Sequence, residues 1–238
     1  MSATKRKVQT LSNECPKSLK DHPFYGLELD DEQKEFRDAI WNPEKLVVFC
    51  NAKAGTGKTQ IAVATANLLV QYGLYSGIIY IVSPTQEQVQ GYIPGDMETK
   101  SAPYMEPLYE ALIKIGVNPT TSILSSDNIR GMKEGTAYIE CMTHTFLRGC
   151  NFENKVIILD ESQNFYNDQL KKTLTRIHDN CKVIVIGHTG QVDLYKNPNR
   201  SGFSRYLEHF RGDDRTAVCE LTVNHRGWIS THADELEF

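Results

Sequence analysis

Residues 46–59 read Leu-Val-Val-Phe-Cys-Asn-Ala-Lys-Ala-Gly-Thr-Gly-Lys-Thr. An apolar run, a glycine-rich loop and a helix start follow one another, so a strand hands directly into a helix here. Gly55 and Gly57 permit loop conformations that a Cβ would block. The backbone N–H groups of such a loop point inward at a helix N-terminus, where they form a cradle for phosphate. In that frame Ala54, Gly55, Thr56 and Gly57 wrap the anion. Lys58 reaches the β- and γ-phosphates of a triphosphate, and Thr59 offers its hydroxyl to Mg2+. Ala52 stands where the strict pattern has glycine, a position that needs only a small residue.

The flanking sequence supports that context. Ile61, Thr65, Leu68, Leu69 and Tyr72 recur at helical spacing, and Gly73 closes the run. Ile78 to Val82, bounded by Gly77 and Pro84, predicts a fully buried strand. Strand, helix, strand is the unit of a parallel sheet. Upstream, Asp30 to about Trp41 predicts a helix that starts with acids, as its dipole prefers, and ends before Pro43. Downstream, helices are expected over Pro103–Ile115, Asp168–His178, Ser204–Arg211 and Trp228–Leu236. Strands are expected over Ala137–Cys141, Val156–Leu159, Lys182–Ile186 and Ala217–Thr222, with Ser122–Gly135 irregular and 188–201 a polar loop. The alternation predicts a doubly wound α/β domain with a mainly parallel sheet, whose ligands bind at the carboxyl ends of the strands. Residues 1–26 are polar and poorly periodic and are expected to be an extension, leaving 27–238 as one domain.

A formal charge of −4 and a pI near 6.0 exclude an obligate nucleic-acid coat, so any nucleic-acid surface must be a local patch. The six cysteines form no C-x-x-C pair and suit reduced thiols. With no signal-peptide pattern and no apolar stretch of membrane-spanning length, a cytoplasmic protein is expected.

Three further features bear on chemistry. The run Val156 to Leu159 delivers Asp160 and Glu161 to the sheet edge. Asp160 is placed to hold Mg2+ and Glu161 to polarise an attacking water; without the loop upstream, the pair would suit a simple acidic strand cap. Gln191 follows the next buried strand, near a γ-phosphate or in a plain polar turn. Gln33 precedes the loop strand; its amide suits the N6/N7 edge of adenine, with Phe24 or Tyr25 stacking on the base, and equally suits a surface helix.

Taken together, these stretches resemble the PhoH-like ATPases, relatives of the first RecA-like domain of superfamily 1 helicases. The resemblance is carried by 52–59, 93–100, 103–108, Arg148-Gly149 with Phe152, 160–164, 174–177 and Gly187 with 191–194. It implies a single RecA-like P-loop NTPase domain that binds ATP with Mg2+ and hydrolyses it, with coupling to single-stranded RNA or DNA and helicase-like action as further expectations. Arg226, in 221–226, matches the segment whose Arg reaches the γ-phosphate. His188 replaces a family Asp, which would weaken hydrolysis or make it pH-sensitive. Ser83 replaces an Arg. The compact length resembles phage-encoded members, which would place the protein in a host cytoplasm. With one such domain, a homo-oligomer, a ring among the options, is expected to complete the site. Arg176 and then Arg148 are the candidates for a finger supplied in trans. The alternative is a non-motor ATP-binding switch controlling assembly with a protein partner; a small-molecule kinase is disfavoured, since Asp160, Glu161 and Gln191 suit attack by water.

Overall fold

The central strands are apolar on both faces, so a sheet built from them must be covered on both sides. The computed structural model describes residues 14–83, 97–125, 127–147, 149–192, 194 and 200–234. Among them, β1 (Val47–Ala52), β2 (Ile78–Val82), β3 (Ile139–Thr143), β4 (Val156–Asp160), β5 (Lys182–Gly187) and β6 (Thr216–Leu221) form one parallel sheet in the order β3-β2-β4-β5-β1-β6. This is the doubly wound α/β architecture expected. Side chains alternate between two cores: Val48, Cys50, Tyr80, Ile158 and Ile184 face one layer, and Phe49, Ile79, Ile157 and Val185 the other. The edge strands carry exposed Glu140 and Glu220, which discourage further pairing.

The first layer is covered by α1 (Asp31–Trp41), α2 (Lys58–Gln71) and α3 (Met97–Lys114). Helix α2 lies between the sheet and its two neighbours, which is why Ile61 to Leu69 are all buried. The short α4 (Pro119–Ser122) and α5 (Ile129–Glu134) precede β3. The second layer is made by α6 (Asn167–Leu174) and α7 (Phe203–Phe210), and α8 (Trp228–Asp234) follows β6.

Three local readings change. The stretch expected to be irregular contains α5, capped by the Asn128 side chain on Gly131 N and closed by Gly135 in the left-handed region. Helix α6 stops at Leu174, short of His178, because the chain turns there and Ile177 pairs with Phe152. The described head, 14–26, is packed onto the domain: Leu19 and Phe24 are fully buried, and Trp41 Nε1 donates to the Pro16 carbonyl at 3.1 Å. Isolated apolar anchors in a polar stretch have no period, so composition could not reveal them. Among the described residues no helix is long and apolar enough to cross a membrane, and no disulfide joins the cysteines.

Lys182 opens β5 with 1% exposure. Its Nζ donates to the carbonyl of Asn42 at 2.7 Å and to that of Lys45. Carbonyls replace water as acceptors but bring no negative charge, so burial pulls the pKa down to about 8. Between that value and the ordinary 10.5 the unfolded chain holds more protons than the folded one. This group's contribution to stability therefore rises with pH through that window. Lys182→Met removes the effect. From pH 8 to 10.5 the stability difference should shift by up to about 3 kcal/mol in favour of the wild type. Urea unfolding at stepped pH measures it; a pH-independent difference would reject the assignment.

Candidate nucleotide site

The order of strands sets the site. β1 delivers the loop 53–57, β4 delivers Asp160 and Glu161, and β5 lies between them. All three end on the same edge because the pairs are parallel. Gly55 (φ 73°) and Gly57 (φ 81°) both use the left-handed region. At Gly55 a Cβ would also lie 2.6 Å from Asn224 Oδ1. Thr56 is buried, its hydroxyl donating to the Lys53 carbonyl at 2.9 Å, and α2 begins at Lys58.

Asp160 is fully buried. Its Oδ2 accepts from Thr59 Oγ1 at 2.8 Å and from the Tyr80 hydroxyl at 2.6 Å, and its Oδ1 accepts from Glu161 N. Burial, then the charge of Glu161, pushes the carboxyl pKa up, while Lys58 and the two hydroxyls oppose the shift. Burial, then Asp160, holds the Tyr80 phenol well above its ordinary range, so it stays a donor. Tyr80 and Thr59 thus fix the orientation of a carboxylate that could not stay ionised unaided.

Glu161 takes a left-handed backbone (φ 49°, ψ 43°). Non-glycine residues pay strain for that conformation, and it is frequent at functional sites. Its side chain meets Lys58 Nζ at 3.1 Å and accepts from Gln163 Nε2 at 2.6 Å. Gln163 Oε1 in turn accepts from His188 N at 3.1 Å. A Cβ on Gly187 would lie 2.8 Å from that same oxygen, so the end of β5 needs glycine.

Around the loop lies a cleft of about 500 Å3, bordered by Leu27, Leu29, Gln33, Glu110, Lys114 and Arg226. Arg226 arrives through the segment after β6. His225 N donates to the Gly55 carbonyl at 2.9 Å, His225 Nε2 meets Asp30 Oδ2 at 2.7 Å, and Glu32 accepts from Thr222 N and Oγ1. The expected loop residues, Asp160, Glu161, Gln33 and Arg226 are therefore brought together.

Gln33 is held differently from its expected role, and the remaining expected residues that are described do not border the cleft. Gln33 borders the cleft but is occupied: Nε2 donates to the Thr56 carbonyl at 2.8 Å, and Oε1 accepts from Asp30 N, completing a capping box. Phe24 is a core residue, and Tyr25 donates towards α2 through Gln71 while accepting from Asn67; neither borders the cleft as a base-stacking ring would. Gln191 is exposed and does not border the cleft. His188 and Thr189 are held at the sheet, the latter by Asn51 Oδ1, and the turn carries Gln191 outward. His188 does not border the cleft either, its ring lying against Gly190. Arg176 sits past the end of α6, beside the Phe152–Ile177 bridge before β4, and does not border the cleft. Arg148 lies outside the described residues. Tyr80 and Gln163 were missed. Tyr80 reads as one more apolar strand residue; Gln163, two residues beyond Glu161, was legible only as part of a motif.

A phosphate-cradling loop facing two acids across one intervening strand defines a P-loop NTPase fold. The chain belongs to the PhoH-like protein family, whose model matches residues 28–226. It is 32% identical over 213 residues to Protein PhoH of Escherichia coli (strain K12), covering 83% of this chain and 57% of that protein. It is 34% identical over 177 residues to a PhoH-like protein of Bacillus subtilis (strain 168), covering 74% and 52%. The chain thus spans about half the length of the curated relatives it matches. Its fold is similar to that of the HK97 bacteriophage large terminase, with a TM-score of 0.51 at 13% identity over 87% of this chain and 42% of that one.

Gly55→Ala combines a disfavoured φ with a steric clash against Asn224. It should weaken nucleotide binding at least about tenfold, measured by calorimetric titration; wild-type affinity would show that the loop rearranges freely.

Proposed function

We propose that this chain binds ATP together with Mg2+ and hydrolyses it. The observation that carries the reading is the contact set Lys58–Glu161 and Thr59–Asp160, two pairs that join the first turn of α2 to the acids at the end of β4. Thr59 Oγ1 and Asp160 Oδ2, 2.8 Å apart, are hard oxygen donors. They fit a cation that takes one or two protein oxygens and keeps the rest for water and phosphate. When bound, Mg2+ neutralises phosphate charge.

The protein's own residues do the remaining work. The β- and γ-phosphates compete with Glu161 for the Lys58 ammonium. Glu161, released from that pair, orients a water and takes its proton, while Gln163 holds the second carboxylate oxygen. Arg226, over the loop, meets charge that builds up on the γ-phosphate. Leu27 and Leu29 offer an apolar wall for the base. Gln33 keeps one donor and one acceptor valence for adenine.

The proposal extends to a homo-oligomer and to coupling with single-stranded RNA or DNA. Glu161 is 43% exposed, and a site so open gains from a second body that excludes water. One observation also favours a switch: nucleotide must break the Lys58–Glu161 pair, and Glu161 is tied through Gln163 to the turn after β5. Nucleic-acid-stimulated turnover favours the motor reading, and binding without stimulation the switch.

Lys58→Ala should lose tight ATP binding. Glu161→Gln should retain binding and lose turnover by about 100-fold or more. Binding and phosphate-release assays on both variants check this; wild-type turnover by Glu161→Gln would remove Glu161 from the chemistry.

A further inference from the structure

A second cavity opens on the same sheet edge. Thr143, the last residue of β3, is in register with Val82, and Val82 with Asp160. His144 therefore lies about 10 Å from the acids of the nucleotide site, two strand spacings along the edge. The cavity, of about 370 Å3, lies between His144 and Thr145 on one side and Asp168, Gln169, Lys172 and Arg176 on the other.

Two of its donors lack acceptors among the described residues. Gln169 Oε1 accepts from Tyr166 N at 2.8 Å, which fixes the amide so that its NH2 faces His144 Nε2, also at 2.8 Å. An NH2 group only donates, so His144 Nε2 accepts and the ring proton sits on Nδ1. Burial, the main influence on this ring, favours that neutral form. Nδ1 of His144 and Nε of Arg176 are both buried without a hydrogen-bond partner among the described residues. Among the described residues the one acid bordering the cavity, Asp168, is taken by Lys172 at 2.9 Å. Arg176 has no carboxylate partner among the described residues. Water can accept from each N–H, but it does not answer the guanidinium charge. A phosphate group does both, offering several acceptor oxygens with negative charge.

We propose that this cavity is a phosphate-binding site and that its ligand is a backbone phosphate of a single-stranded nucleic acid lying along the sheet edge beside the nucleotide. The inference rests on the nucleic-acid coupling in the function proposed above, and not on hydrolysis. It assigns Arg176 a role within its own chain instead of a neighbour's nucleotide site.

The test uses the full chain. The Arg176 Nε–H resonance, assigned by its loss in Arg176→Gln, is followed on adding inorganic phosphate, a short oligouridylate or a short oligothymidylate. It should move with at least one strand. By fluorescence anisotropy, Arg176→Gln should bind that strand about tenfold more weakly, with a salt slope shallower by about one. ATP affinity should be unchanged in Arg176→Gln, which separates this site from the nucleotide site. Lys58→Ala should still bind the strand. Movement with inorganic phosphate but neither strand would overturn the strand as ligand. An unmoved resonance, or equal strand affinity in wild type and Arg176→Gln, would overturn the site. Recovery of ATPase activity on mixing Arg176→Gln with Lys58→Ala subunits would return the guanidinium to a neighbour's nucleotide site and overturn it too.

Discussion

One buried carboxylate organises this molecule. Asp160 has no exposure to solvent, and an ion in that position persists only if its oxygens are answered by donors. Its three donors come from different parts of the chain: Thr59 from the first turn of α2, Tyr80 from β2, and the backbone of Glu161 beyond β4. Satisfying this single group therefore ties the phosphate loop to two strands that do not neighbour β1. The geometry of the nucleotide site is in that sense a consequence of hydrogen-bond accounting around Asp160.

Charge balance extends outward from that centre. Lys58 already lies in the field of the buried Asp160, and the strained backbone at Glu161 aims a second carboxylate at it. Gln163 then links Glu161 to the turn after β5, and close approach there requires Gly187. A second strap, 222–226, runs from the end of β6 across α1 to the loop through Glu32, Asp30 and Gly55. Both links join the loop to segments that lie far from it in sequence.

Local motifs were legible wherever a property depends on neighbours in sequence. The loop at 53–59 and the acids at 160–161 lie where the sequence places them, since a strand leads directly into each. The start of α1 followed from its acids, whereas the capping box between Asp30 and Gln33 appeared only in the structure. Capping also explains α5, where Asn128 and Gly135 bracket a helix too short to show periodicity. Phe24 and Gln191 show the opposite case. An aromatic residue near a motif carries no information on whether it faces the core or the cleft, and Gln191 was carried outward once Gln163 and Asn51 had taken hold of the turn before it.

The amino-acid sequence by itself determined the alternation of strands and helices, the phosphate cradle and the pair of acids, since each depends on residues within a few positions of one another. Tertiary structure alone decided the rest. Strand order put β5 between the loop and the acids, registered His144 with the same edge, and brought Arg226 across from the last strand. It also placed Leu19 in the core and gave Gln33 two partners before any ligand arrives. These outcomes depend on which buried donors find acceptors across long stretches of chain, a condition that no local spacing encodes.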